Sequence, residues 1–537
     1  MKATTRMMLA VAAVLAAANA TSALCADSWS YDGKLRMGGI FKDESGDRTT
    51  MQETFNVYDG FSLSSIYLNA YRDPKTHLLL DLSDINLGDR RGNLEYRQSG
   101  LLRFRSRYDE SRYVFDPAGN VDATRRDWWS SLMVTPSKSL WISGDYGLQT
   151  RRGDRLGYTG DPVGWLGTEY DNNLHRWQLR AQAQQPSNGI GGSVTYDGVK
   201  QTDAIDPQRE RTGYVVSGIV HVPGYIFKRL THVARASIGR SELPNVNNLG
   251  YDLKTIQYTG IVDATRWARL RYQFYSSRID DEATKLRTDN IMHDVDATVR
   301  CRYASLTGGY GWEALDDDRS ITTANTWRGN VVLHDPKRLV TVRAAYSMRD
   351  KDDNESLTLL KDTSYERQEA SLEARPMKDL TVGGRVADRT RKMPDIGSRA
   401  EGLVATGYAT WQGAPTGDEK LITSDVGVDY SFTDDDYTNI WGEEHVVTHA
   451  VTGHVGVVLD QNIDLKAAVT FLKMKEDLDI EKSILSFAAG YRFDRGFLAD
   501  VQYNVYNFDD YLVASRYYTA NVVWVNVGYE FSKQRSE

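Results

Sequence analysis

The stretch Asn521-Val-Val-Trp-Val-Asn-Val-Gly-Tyr-Glu-Phe531 decides how the rest of the sequence is interpreted. Apolar residues alternate in it with small or polar ones, and a period of two is typical of a β-strand. One apolar side ends in two aromatics and consists of Val523, Val525, Val527, Tyr529 and Phe531. Such a side, opposite a wetter one, suits a strand that meets lipid. An open strand edge leaves backbone groups unsatisfied in lipid, so we expect this strand to close a barrel by pairing with the first strand. An edge strand of a soluble sandwich is the alternative.

The N-terminus predicts export. Lys2 and Arg6 precede an apolar run over residues 7–18, and Ala18-Asn19-Ala20 fits a small-x-small cleavage site. This pattern is typical of a secretory signal peptide, and the run is too short to span a membrane. We assign residues 1–20 to the signal, with cleavage as late as residue 26, and residues 27–537 to one barrel domain.

Composition supports a membrane barrel. The chain has 537 residues, of which 31 are Tyr, 12 Trp and 44 Gly, and its mean hydropathy is −0.50. After the signal there is no apolar run of the length that a membrane helix needs. The net charge is −8, and positive and negative residues are interspersed. The sequence therefore has no basic patch of the kind that binds nucleic acid.

Turns at regular intervals along the chain give the strand count. Short turns recur near Pro136, Pro186, Pro223, Ala264, Arg302, Pro336, Pro376, Pro415, Gln461 and Arg495. Six strands before Pro136 and a pair after each turn predict an all-β, antiparallel, up-and-down transmembrane barrel of about 26 strands, with a range of roughly 24 to 28.

Between the turns lie stretches rich in Asp, Glu, Ser and Thr, which we interpret as long polar loops. They cover residues 280–290, 316–325, 350–362, 433–444 and 475–482. Short turns at one end and long loops at the other are typical of barrels in the bacterial outer membrane. The short turns and both termini are therefore predicted to be periplasmic.

The predicted barrel is wide. Strands about 4.8 Å apart and tilted by about 40° give 26 strands a backbone diameter of roughly 50 Å. No segment of plug size precedes the first strand, which argues against a TonB-dependent transporter. A separate protein inside the barrel is therefore expected. Alternation points eight charged candidates into the lumen: Arg103, Arg105, Arg107, Arg269, Arg271, Asp294, Asp296 and Arg300.

A family resemblance lies in residues 78–96 and 100–111. The Asn86-Leu87-Gly88 turn, the tight hairpin at Ser99-Gly100 and the strand ending Tyr108-Asp-Glu-Ser111 resemble the MtrB/PioB family of outer-membrane barrels. The resemblance implies a barrel that sheathes a multihaem cytochrome c and supports electron transfer across the outer membrane, often together with an extracellular multihaem cytochrome. Some relatives carry a Cys-x-x-Cys near the mature N-terminus, which this chain lacks. A wide diffusive porin for large solutes is the alternative function.

Other chemistry is weak or absent in the sequence. There is no Cys-x-x-Cys-His, so haem c would be carried by the partner and this chain would hold no cofactor. His445 and His449 share a strand face without the His-Glu-x-x-His order, and Asp434-Asp435-Asp436 is interpreted as a solvated loop rather than a metal site. Nothing selects a catalytic set, so we expect a protein that is not an enzyme.

The loop pattern makes a topology prediction. Protease added to intact cells should cut within residues 350–362, which are predicted to be extracellular, and should spare the Asp73–Thr76 turn. Fragments separated by mass spectrometry identify the cut sites. Cleavage at Asp73–Thr76 with protection of residues 350–362 would reverse the orientation.

Overall fold

In a computed structural model, the described residues form a closed, all-β barrel of 26 antiparallel strands, as the sequence predicts. The structure describes residues 29–46, 59–114, 122–154, 169–224, 229–245, 249–318, 320–337, 339–353, 363–413, 421–439, 442–460, 462–513 and 516–533. Among these residues no helix combines the length and apolar character that crossing a membrane requires.

The strands follow each other around the barrel in chain order. The first thirteen are β1 Ser30–Gly46, β2 Gly60–Asp73, β3 Thr76–Ser83, β4 Arg90–Gln98, β5 Leu102–Val114, β6 Asp122–Ser137, β7 Leu140–Asp154, β8 Glu169–Gln184, β9 Gly191–Asp203, β10 Arg211–Pro223, β11 Leu230–Leu243, β12 Leu249–Asp263 and β13 Ala268–Asp281. The others are β14 Arg287–Arg300, β15 Ala304–Asp316, β16 Ile321–His334, β17 Val340–Asp353, β18 Thr363–Met377, β19 Leu380–Met393, β20 Ser398–Gly413, β21 Leu421–Asn439, β22 Gly442–Leu459, β23 Ile463–Glu476, β24 Ile480–Arg492, β25 Phe497–Asp510 and β26 Tyr517–Lys533. Short 3₁₀ turns lie at Pro207–Arg209, Pro394–Ile396 and Asp494–Gly496.

The barrel closes between its last and first strands. β26 pairs with β1 along its length, from Tyr31 opposite Lys533 to Gly46 opposite Tyr518. Because the strand number is even, Ser30 and Lys533 lie at the same end of the barrel, here called the termini end; the other is the far end. The ladder satisfies the edge groups that an open sheet would leave unpaired.

The predicted short turns that the structure describes are at the termini end. Of the eight marks within the described residues, five lie between the two strands of a hairpin, and Pro136, Pro223 and Pro376 lie at the ends of β6, β10 and β18. Pro415 and Gln461 themselves lie outside the described residues, as do the predicted signal segment and residues 354–362 of the predicted loop 350–362.

The long polar loops at the far end were predicted wrongly in most places. Residues 433–439 belong to β21, residues 442–444 to β22, and only Asp317–Ser320 separates β15 from β16. The acidic residues are held within the strands by cross-strand ion pairs. Asp289, for example, lies opposite Arg278 and accepts from its Nε at 2.9 Å. Paired in this way, charged strands extend beyond the apolar band.

β3 ends at Ser83, and residues 84–89 fold onto neighbouring strands. Leu63 N–H donates to Asn86 Oδ1 (2.7 Å) and Asn86 Nδ2 donates to the Phe61 carbonyl. Leu87 packs on a buried cluster of Ile40, Tyr518, Ala520 and Val522. Burial raises the pKa of the Asp84 and Asp89 carboxyls, so this loop is more stable as the pH falls.

A glycine at the seam receives the last aromatic side chain. Gly33 lies opposite Phe531, and a Cβ at Gly33 would sit 2.2 Å from Phe531 Cζ. The ring is flanked by Tyr31 and Tyr529, each with its centroid 6.2 Å away. Gly33 therefore makes room for the aromatic that ends the closing strand.

We predict that Gly33→Val weakens closure, because valine would displace the Phe531 ring. The expected loss in free energy of unfolding is about 1–3 kcal/mol, the usual cost of overpacking. Urea unfolding of the barrel in lipid vesicles, followed by tryptophan fluorescence, measures it. Gly39→Val is the matched control on β1, since a Cβ there meets the Phe41 ring at an ordinary 3.4 Å. Equal stability of the two variants would contradict the role of Gly33.

Candidate functional site on the charged face of the barrel

The barrel wall has two chemically different faces. Directly opposite residues of paired strands point to the same side of a sheet, so the registers carry each face from strand to strand. Val525 lies opposite Val501 on one side and Gly39 on the other, and this apolar face continues around the barrel. The five closing-strand residues Val523, Val525, Val527, Tyr529 and Phe531 belong to it.

The eight charged candidates all lie on the other face, here called the charged face. Their registers and those of the strands between them place together Arg103, Arg105, Arg107, Arg269, Arg271, Asp294, Asp296 and Arg300. Apolar-face residues such as Val194 (59 %) and Ile256 (58 %) are well exposed, whereas Ser217 (2 %) and Asn504 (3 %) of the charged face are buried. Side chains crowd on a concave surface, so we infer that the charged face lines the lumen.

On β5, two of the three candidate arginines share one carboxylate of β4. Glu95 accepts from Arg103 Nε and from Arg105 Nε, each at 3.1 Å. Arg107 donates to Asp109 (2.6 Å) and lies opposite Trp129. The sequence pattern picked out the arginines but missed Glu95, which becomes their partner only through the β4–β5 register.

A second network spans four strands, β13 to β16. Arg271 pairs with Asp296, and Arg328 Nη2 donates to Asp294 Oδ1 (2.5 Å) and Asp296 Oδ1 (2.9 Å). Arg328 reaches Asp296 across Gly309, where a Cβ would lie 2.1 Å from Asp296 Oδ1. Arg328 and Gly309 were missed by sequence reasoning, although the Gly308-Gly309 pair within a strand signals a close approach.

The remaining candidates lie near the termini end. Arg269 donates to Asp263 at 2.7 Å. Arg300 lies opposite Ser305 and has no ion pair among the described residues. The structure thus gathers the eight candidates into separate groups along the wall and not into one site.

A groove on the same face lies between these groups, with a volume of about 680 Å³. Gly147, Gly213 and Gly239 lie at its floor, and Trp129 and Arg176 line it. Large side chains beside a floor of glycines make a shallow depression in the wall rather than an enclosed pocket. Such a surface suits contact with a large occupant.

The histidines considered for metal binding do not act together. His449 Nδ1 is 2.9 Å from the Tyr430 hydroxyl, whereas His445 Nε2 is 2.8 Å from Asp434 Oδ1. The ligand atoms of Asp434, Asp436 and His445 lie within 4.8 Å of one another on the apolar face at the far end. His445 is already hydrogen-bonded to Asp434 there, and the three side chains point away from the charged face.

Comparison with known proteins supports the fold alone. No family model and no curated protein matches the chain. The barrel is similar to a mutant of the ferric enterobactin receptor PfeA from Pseudomonas aeruginosa in complex with enterobactin, with TM-score 0.55 and 9% identity over 93% of this chain and 81% of that one. It is also similar to the siderophore receptor PirA from Pseudomonas aeruginosa (TM-score 0.46, 10% identity, 94% and 80% covered). A third similar structure is the alcaligin outer membrane receptor FauA from Bordetella pertussis (TM-score 0.46, 11% identity, 94% of this chain and 76% of that one covered). The chain therefore shares the fold of a large β-barrel with the PfeA structure.

We predict opposite labelling of two neighbouring positions on β5. In a background without the two native cysteines (Cys25→Ser, Cys301→Ser), Arg105→Cys should react with a membrane-impermeant maleimide, because we expect it to face a water-filled lumen. Phe104→Cys, on the opposite face, should react only with a lipid-soluble maleimide. Mass spectrometry of the barrel in vesicles measures both yields. Preferential lipid-phase labelling at residue 105 would reverse the assignment of the faces.

Proposed function

We propose that this chain is an outer-membrane barrel that sheathes a multihaem cytochrome c and so supports electron transfer across the outer membrane. The charged face lines the lumen, the termini end is periplasmic and the far end is extracellular. The partner carries the haem c, and an extracellular multihaem cytochrome is a further partner. The barrel itself supplies no redox centre.

The observation that carries this proposal is the size of the space that the described residues enclose. They lie in 26 strands and their connections, and a wall of that many strands has a diameter of roughly 50 Å. An open bore of that width would breach the membrane as a barrier. A protein of the bulk of a multihaem cytochrome would close it.

The charges of the lumen support a protein occupant over a selected ion. Arg103 and Arg105 converge on Glu95, while Asp294 and Asp296 converge on Arg328. Both signs alternate within each group, so no ring of one sign forms there. A polar lining with charges of both signs resembles the polar, hydrated rim of protein–protein interfaces.

The stretch that resembles MtrB/PioB barrels has a structural role in this chain. Asn86 ties the loop to β2, and Leu87 covers the apolar cluster beside the closing seam. Glu95, Arg103 and Arg105 lie on the hairpin within the same stretch.

The alternative is a wide diffusive porin, which would use the same lumen without an occupant. The two functions differ in what the isolated barrel does. An empty barrel leaks small solutes, whereas a filled barrel passes electrons and retains small solutes.

Reconstitution in liposomes with a trapped redox dye separates the two. Barrel with cytochrome should pass electrons from an external reductant and retain small solutes, because tunnelling cannot cross about 30 Å of membrane without redox centres. Barrel alone should leak and pass no electrons. If mild extraction yields no cytochrome with the barrel, and deletion of the barrel leaves extracellular electron transfer intact, the sheath function is wrong and the porin takes its place.

A further inference from the structure

Arginines lie directly beyond aromatic residues on the apolar face of β4 to β8. Across neighbouring strands, Tyr108, Trp128 and Leu148 lie side by side in one row. The next row toward the far end contains Arg90, Glu110, Arg126 and Thr150, and Arg152 follows on β7. All of these belong to the face that also holds Val525, and that face meets lipid if the barrel is in a membrane.

The arginines are anchored at one edge of the guanidinium. Arg126 Nε donates to Glu110 Oε2 at 3.1 Å, and Arg152 Nε lies 3.2 Å from Asp171 Oδ1. Glu110 is itself 9 % exposed, and it also accepts from the Tyr108 hydroxyl. A buried carboxylate thus fixes Arg126, whose side chain remains 47 % exposed, as Arg152 remains 59 % exposed.

A groove of about 360 Å³ runs between these rows. It is lined by Tyr108, Arg126, Trp128, Leu148, Thr150 and Arg152. Trp128 donates its indole N–H to Ser106 (2.9 Å), so the polar edge of the ring is satisfied within the wall. The groove therefore has an apolar floor of satisfied aromatic and aliphatic groups below two cationic side chains.

We propose that this groove binds the phosphorylated headgroup of a membrane lipid. Aromatic side chains in membrane barrels lie at the level of the headgroups, and the phosphates of a lipid lie just beyond the acyl chains. Arg126 and Arg152 stand at that level, and a guanidinium matches the geometry of phosphate oxygens. The acyl chain packs against Trp128 and Leu148. This site is on the outside of the barrel and is independent of any partner in the lumen.

Native mass spectrometry of the full-length barrel, extracted in detergent, tests the site. The barrel is titrated with lipid A, with the same lipid lacking its phosphates, and with inorganic phosphate. Wild type should retain lipid A in preference to both. Arg126→Gln and Arg152→Gln should each weaken binding about fivefold, following the usual contribution of one arginine near a charged membrane surface. Arg126→Lys should retain most of the lipid A binding.

Arg278→Gln is the matched control. Arg278 lies on the same face at the same end, is 44 % exposed and pairs with Asp289 at 2.9 Å, but it does not line the groove. Gel mobility before and after heating establishes that every variant forms the closed barrel. Unchanged lipid A binding in the Arg126→Gln, Arg152→Gln double variant, or an equal loss in Arg278→Gln, overturns the site. Equal binding of the phosphate-free lipid overturns it as well. Displacement of lipid A by inorganic phosphate at equal concentration would assign the groove to free phosphate and overturn the lipid.

Discussion

Every part of this structure depends on pairing all backbone hydrogen-bonding groups of a sheet that has no free edge. In lipid an unpaired strand edge costs several kcal/mol per group, so β26 must meet β1. The ladder from Tyr31–Lys533 to Gly46–Tyr518 fulfils this requirement. Closure then fixes the two faces, because a slip of one residue in any pair would turn a strand's apolar side toward the other surface. The registers carry this alternation around the barrel, with local bulges in a few of the pairs.

Ion pairing across strands explains how the wall extends beyond its apolar band. Asp289 bonds to Arg278, and Asp435 accepts from Arg389 Nη2 at 2.9 Å across Gly402. A Cβ at Gly402 would lie 2.3 Å from Asp435 Oδ1, so glycine permits the reach between strands that are not neighbours. Gly309 permits the same for Arg328 and Asp296. Glycines within the strands therefore leave room for ion pairs between two strands that are separated by a third.

The fold was predictable from the sequence because its signals are local. Prolines mark six of the ten predicted turns, and alternation separates the faces within each strand, so the strand number and the common face of the eight candidates follow. The far end was not predictable in the same way. Asp434 to Asp436 have the composition of a loop, and they are strand residues because partners such as Arg389 and His445 meet them across the sheet. Those partners, like Glu95 and Arg328, depend on registers that the sequence does not state.

The arrangement of charge and apolar surface bears on how a protein would be held in the lumen. The apolar cluster of Ile40, Tyr518 and Val522 lies on the charged face, and it is covered by Leu87 of the same chain. Glu95, Asp294 and Asp296 have partners within the wall, so an occupant gains little by bonding to them. Neither hydrophobic contact nor strong ion pairing is therefore left as the main attraction at these positions. In the sheath that we propose, a partner would therefore be retained by enclosure within the wall that the β1–β26 ladder closes.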